Sequence, residues 1–325
     1  MPGTSFATES ANGRATSSDC MIRSTVTPAV LDDWKLVAAR PHRGLENYIA
    51  RRIDSGEFRI AVSSLSSSAE IVGASRSVTR EPLAQFRLTE IKRLEDQVTA
   101  LCQILSDAHA AGATFLVLPE LRMPPALLQV AKNFLRTQEI TEKRGLLLVV
   151  AGSWHIESNE RLYNRCEVLN HYGEPLWAHD KLREYVIEPK DVSTAPELCR
   201  AIGVGQDGGR EDIERGDTLQ FYDSIVGRIA ISICVGFFSP EVKPLLEASG
   251  ADIFLVPAMT PSMLRLEDRA NELVGSRNAF TAAANCGTVG KDAPSFWRRP
   301  AVRDYLQRMA PGDSLLLLDL NDISK

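Results

Sequence analysis

The chain has 325 residues, 44% of them hydrophobic and 24% charged, with a formal net charge of −5. A chain of this size buries a full core without disulfide or metal staples. Its acidic balance argues against a nucleic acid or an anionic membrane as the main partner, because both call for a basic face.

The six cysteines, Cys20, Cys102, Cys166, Cys199, Cys234 and Cys286, are scattered with no CxxC pair. That spacing speaks against a disulfide framework and a structural zinc site, and a reducing, cytoplasmic setting is expected. No run approaches 18 apolar residues, so no membrane-spanning helix is expected. The N-terminus "MPGTSFATESANGRATSSD" lacks the apolar stretch of a secretory signal.

Residues 1–25 are small and polar without periodicity and read as disordered. Residues 28–53 read as one or two short helices, "AVLDDWKLVAAR" and "GLENYIARRI". The expected division is therefore an N-terminal extension over 1–56 and one domain over 57–325.

Within the domain, "EFRIAVSSL" predicts a strand. "LTEIKRLEDQVTALCQILSDAHAAG" predicts a helix, with Leu88, Ile91, Leu94, Val98, Leu101, Leu105 and Ala108 recurring every three or four residues and Gly112 as the stop. "ATFLVLPE" and "GLLLVVAGSW" are short apolar runs that predict buried strands. "PPALLQVAKNFLRTQEI" predicts a helix with proline in its first turn. "RCEVLN", "HYGE" and "PLWAHDK" predict a hairpin. Residues 189–215 read as a loop with a glycine cluster, "GVGQDGG". "TLQFYDS", "GRIAISIC", "ADIFLVP", "AFTAAAN" and "DSLLLLDLN" predict further strands, and "SPEVKPLLEASG" and "MLRLEDRANELVGSRN" predict helices. Alternation of this kind defines an α/β chain with one continuous core.

Three apolar runs end on reactive groups: "FLVLPE" on Glu120, "LWAHDK" on Lys181 and "IAISIC" on Cys234. Strand ends of α/β proteins are where active sites gather. Taken singly, each residue has a plainer reading, as a capping carboxylate, a surface ammonium and an inert core thiol. The histidines offer no metal-ligand spacing, and His155 and His179 read as packed or surface residues. "GVGQDGG" and "GTVGKD" do not fit a phosphate-binding loop, and "FWRRPAVR" is a short solvated patch.

Four segments in order carry more than the single residues do: "GATFLVLPEL", "YNRCEVLNHYGEPLWAHDKL", "ISICVGFFSPEV" and "GADIFLVPAM". Together with "RANELVGSRNAFTAAANCG" they resemble the successive signatures of the nitrilase superfamily, the carbon–nitrogen hydrolases. The resemblance covers roughly residues 57–290 and implies an α-β-β-α sandwich of two stacked mixed sheets covered by helices. It implies a cysteine nucleophile at Cys234, a general base at Glu120 and an oxyanion-stabilising ammonium at Lys181, with the Val235 backbone N–H as a further donor. It also implies a second glutamate beyond the lysine, for which Glu188 is the candidate and Glu184 the runner-up.

The implied activity is hydrolysis of a small amide, carbamoyl or nitrile compound through a thioester, with no cofactor and no metal, by a homodimer. Arg122, Phe237 and Met259 are the candidates for contact with the substrate. The chain departs from the family pattern at Gly236, where an acidic residue is common, at Phe237 and Phe238, and in the segment after Asn285. Those departures keep two alternatives in view: a binding or regulatory module of the same fold, and an acyltransferase.

Overall fold

The computed structural model describes residues 30–31, 34–65, 71–76, 83–193, 196–286, 294–299, 306–310 and 313–319. The expected disorder of residues 1–25 lies outside the described residues.

Eight strands form one mixed sheet, in the order Val30–Leu31, Trp34–Ala38, Thr218–Ser224, Gly227–Ile231, Ile253–Ala258, Phe280–Asn285, Phe296–Arg298 and Leu306–Arg308. A second sheet has seven. Its order is Pro175–Asp180, Arg161–Asn170, Leu148–Val150, Phe115–Val117, Arg59–Ser63 and Leu315–Asp319, with Trp154–Ser158 paired to the free part of Arg161–Asn170. A smaller sheet joins Val186–Ile187, Gly209–Glu211, Ala84–Ile91 and Ile71–Arg76.

The layering follows from strand periodicity. Ile60 and Val62, Phe115 and Val117, and Leu148 and Val150 point into the core shared with the eight-stranded sheet. Their alternates Ala61, Leu116 and Val149 point the other way. There they pack with Leu101, Ile104 and Leu105 of the helix Leu94–Ala110, and with Leu127, Ala131 and Leu135 of the helix Pro125–Thr137. Successive side chains of a strand face opposite sides, so a run with no polar position is a strand covered on both faces. On the far side of the eight-stranded sheet, the helices Lys243–Ser249 and Leu264–Arg277 supply Leu245, Leu246, Leu266, Ala270 and Leu273 to the core. The result is the expected α-β-β-α sandwich.

Two segments in the first hundred residues differ from the sequence reading. Trp34–Ala38 is a strand, not a helix, because it pairs in parallel with Thr218–Phe221 and extends the sheet edge. The helix Arg43–Asp54 forms as expected. Leu36, Leu45 and Ile49 are buried in the same core as the domain, so the boundary drawn at residue 57 falls between elements that share one interior. The second difference is Ala84–Ile91, a strand preceding the helix, which begins at Leu94. Leu88 and Ile91 fit a helical period, but they are buried by pairing with Ile71–Arg76 instead.

Candidate active site

Glu120 follows the strand Phe115–Val117 at a sharp bend. Leu121 takes φ 54° beside it. The opposing chain passes so close that a Cβ on Gly152 (φ 63°) would overlap the Pro119 carbonyl oxygen. Only glycine tolerates both the positive φ and that approach. The Glu120 N–H donates to the Ala258 carbonyl at 3.2 Å, across from the other sheet.

Cys234 is anchored to the same strand end, its N–H donating to the Pro257 carbonyl at 2.8 Å. Its backbone sits at φ 45°, ψ −112°, between the strand Gly227–Ile231 and the short helix Val235–Phe238. An L-residue held there is strained, and surrounding structure must over-determine the conformation. Val235 opens that helix, and the first N–H of a helix has no intrahelical acceptor.

Lys181 ends the strand Pro175–Asp180, with its N–H on the Asn164 carbonyl at 2.9 Å. Its Nζ lies 2.7 Å from Glu120 Oε1 and 2.6 Å from Glu211 Oε2. The three side chains are 1–2% exposed. Glu120 also accepts from Asn164 Nδ2 at 2.9 Å and from the Met259 N–H at 3.0 Å, and its charge acts on the neighbouring Cys234 thiol.

Glu211 is held on every side. It accepts from Asn164 Nδ2 at 2.8 Å and from the Tyr185 N–H at 2.9 Å, and it contacts His155 Nε2 at 3.0 Å.

The electrostatics follow from burial and from this charge pattern. Burial alone lowers the Lys181 pKa, but Glu120 and Glu211 outweigh it and hold the ammonium charged far above the ordinary lysine value. Burial raises Glu120, Glu211 adds to the rise, and Lys181 opposes it, leaving Glu120 more basic than a free glutamate. Glu211 is the opposite case. Burial alone would raise it, but Lys181 and His155 pull it below the usual carboxylate range. Burial and the Glu120 charge push the Cys234 thiol up against the pull of Lys181, so the resting sulfur holds its proton beside a carboxylate ready to take it. Two buried carboxylates with one fixed ammonium can accept a proton, return it and stabilise developing negative charge.

The structure thus brings Glu120, Lys181 and Cys234 together, and separates them from Glu188. That residue is exposed and ion-paired with Lys190. The runner-up, Glu184, forms a bidentate pair with Arg215 at 2.6 and 2.7 Å. The carboxylate that meets Lys181 from farther along the chain is Glu211, at 2.6 Å, within residues 189–215 that the sequence reads as loop. The signal lay in the length of that stretch, since so long a loop inside a compact domain normally carries structure of its own. Residues 186–211 in fact contain two short strands and two short helices. Asn164, quoted within "YNRCEVLN" but given no role, bridges the two carboxylates.

The proposed substrate contacts are placed differently from one another. Arg122 is fully buried and donates from Nε to Cys286 Sγ at 2.9 Å. Phe237 is fully buried too, edge-to-face with Phe254 at 5.6 Å, so it serves the core. Apolar burial against the sheet wins there over exposure to a ligand. Met259 reaches the site through its backbone N–H. Gly236 is buried, with Ser232 Oγ 3.3 Å from where a Cβ would stand.

A cavity of about 620 Å³ is lined by Tyr185, Val235 and Phe238 and by mostly charged side chains, Glu184 and Glu188 among them; Glu120, Lys181 and Cys234 do not line it. The Tyr185 ring centre is 6.0 Å from Lys181 Nζ. Among the described residues no cluster of three or more His, Cys, Asp or Glu side chains could hold a metal ion. None of the helices there is long and apolar enough to cross a membrane.

These features and the sequence agree on a class. The chain belongs to the carbon–nitrogen hydrolase family, whose sequence model matches residues 76–314. Solved structures of similar fold include a mutant of the Nesterenkonia AN1 amidase from the nitrilase superfamily with alanine in place of a cysteine. It is 19% identical with a TM-score of 0.54, over 82% of this chain and 92% of that one. Another mutant of that amidase shows Michael addition of acrylamide at its active-site cysteine (19% identity, TM-score 0.54, 81% and 93% covered). Saccharomyces cerevisiae Nit3, a member of branch 10 of the superfamily, is 13% identical with a TM-score of 0.52, over 80% of this chain and 89% of that one. No curated protein sequence matches the chain.

Proposed function

We propose that this chain is an amidase-type hydrolase that cleaves the C–N bond of a small amide through a thioester at Cys234. The observation that carries the reading is the buried Lys181 ammonium, held 2.7 Å from Glu120 and 2.6 Å from Glu211.

Glu120 takes the Cys234 proton as sulfur attacks the carbonyl carbon. The oxygen gains negative charge and is stabilised by Lys181 and the Val235 N–H. As the C–N bond breaks, Glu120 returns the proton to the leaving nitrogen, and ammonia or an amine departs. Water then loses a proton to Glu120 and attacks the thioester carbon. The C–S bond breaks, the acid is released and the sulfur regains its proton. Glu211 holds Lys181 at the oxyanion position and takes no proton.

The resemblance to carbon–nitrogen hydrolases supports pairing of two copies through their helical faces, which sedimentation velocity reads directly. The activity itself is tested by ammonia release from a panel of linear amides, comparing the unmodified chain with Cys234→Ala. Release by the first and none by the second is the expected result; no release by either from any amide would count against the reading.

A further inference from the structure

His155 lies outside the steps above, yet it is built into the site. It sits on the strand Trp154–Ser158 directly across from Asn164, and residues opposite one another on paired strands share a face. Both side chains converge on the same atom, Glu211 Oε1, at 3.0 Å from His155 Nε2 and 2.8 Å from Asn164 Nδ2. The other imidazole nitrogen is spoken for. His155 Nδ1 accepts the Leu88 backbone N–H at 2.9 Å, and a nitrogen that accepts carries no proton. The ring is therefore the Nε2–H tautomer, and Nε2 donates to Glu211.

We infer that His155 is a positioning residue that fixes the Glu211 carboxylate under Lys181, with its tautomer set by the Leu88 N–H of the small sheet.

The geometry gives this a specific content. Glu211 Oε2 is engaged by Lys181 Nζ and the Tyr185 N–H, and Oε1 by Asn164 and His155. Removing the His155 donor leaves one oxygen with a single partner and lets the carboxylate rotate away from Lys181. The Leu88 N–H belongs to the strand Ala84–Ile91, which pairs with Gly209–Glu211. One small sheet thus supplies both the glutamate and the donor that sets the histidine behind it. This support is distinct from the triad, since His155 makes no contact with Glu120, Lys181 or Cys234 in the described hydrogen bonds.

The test uses the full chain and three readouts. His155→Leu removes both hydrogen bonds, whereas His155→Gln restores one donor and one acceptor. Alkylation of Cys234 by iodoacetamide, followed on its own peptide by mass spectrometry, needs no substrate. In His155→Leu it is expected to slow roughly tenfold, the rate equivalent of one hydrogen bond to a charged group, and in His155→Gln to recover to within about threefold. With a turned-over amide, kcat falls by the same factor and KM holds; this arm rests on the hydrolase reading, and the alkylation arm does not. The third readout is the long-range 1H–15N spectrum of histidine-labelled unmodified protein, which is expected to place the His155 proton on Nε2.

Alkylation of His155→Leu at the unmodified rate would overturn the inference. So would equal slowing in the leucine and glutamine variants with native thermal unfolding, or a proton on Nδ1.

Discussion

Lys181 Nζ and Glu211 Oε2 stand 2.6 Å apart although 30 residues separate them in the chain. Both side chains are 1% exposed. Breaking a buried ion pair costs up to about 3–5 kcal/mol when a charge is left uncompensated, and Glu120 at 2.7 Å keeps the loss of Glu211 at or below the low end of that range. Glu211→Gln is therefore expected to lower unfolding stability by about 3 kcal/mol or less and to depress kcat by about a hundredfold, comparable to losing an oxyanion donor. The basic limb of the rate profile should also shift to lower pH, because Glu211 is one of the two anions that hold the Lys181 pKa up. Chemical denaturation and a pH–rate profile measure the two effects.

Glu120 carries the proton traffic. Glu120→Gln keeps the size of the side chain and removes the base, so kcat should fall by about 10²–10⁴-fold with a smaller change in KM. In the unmodified chain, burial and then Glu211 raise the Glu120 pKa against Lys181. Activity requires the basic form, so it should be lost on acidification at a pH above the 4.5 of an ordinary glutamate. A pH–rate profile with its acid limb at or below 4.5 would contradict that assignment.

Gly152 makes the bend at Glu120 possible. Gly152→Ala places a Cβ onto the Pro119 carbonyl oxygen at a backbone φ of 63°. Strain of this kind costs about 1–3 kcal/mol, and relief by movement of Pro119 carries Glu120 with it. Both thermal stability and kcat should fall, and a variant that loses stability alone would show that the bend is not what sets the carboxylate.

His179 gives a pH effect on folding that is separate from catalysis. It is buried, its ring nitrogens have no partner among the described residues, and burial lowers its pKa from 6.5 to about 4. The unfolded chain then binds a proton that the folded chain refuses between those values, so stability falls as pH drops from 6.5 to 4. The loss amounts to about 3 kcal/mol at 1.36 kcal/mol per pKa unit. His179→Leu should flatten that part of the curve, as read by urea unfolding at pH 7 and pH 4.5.

Much of this site was legible before the structure, and the reason is local. Glu120 and Cys234 each close an apolar run, and a run of that kind is a buried strand whose end is fixed by the core; Lys181 follows the half-buried strand Pro175–Asp180. Glu211 and His155 carry no such mark. Glu211 ends a strand of three residues, Gly209–Glu211, whose pairing with Ala84–Phe86 joins segments more than a hundred positions apart. His155 acquires its role from a tautomer set by a backbone N–H on another sheet. Trp34–Ala38 failed in the same way: its strand exists because the edge of Thr218–Ser224 is there to receive it. Local periodicity reports which face of an element is buried, and it is silent on partners chosen by topology.

Acylation of Cys234 is the step on which the proposed hydrolysis turns. Intact-protein and peptide mass spectrometry after acid quench, on chain mixed with linear amides, tests it most directly. An added acyl mass is expected on the Cys234 peptide, absent from Cys234→Ala and longer-lived in Glu120→Gln. Amide turnover with no acyl mass on Cys234, or the same mass on another cysteine, would contradict it.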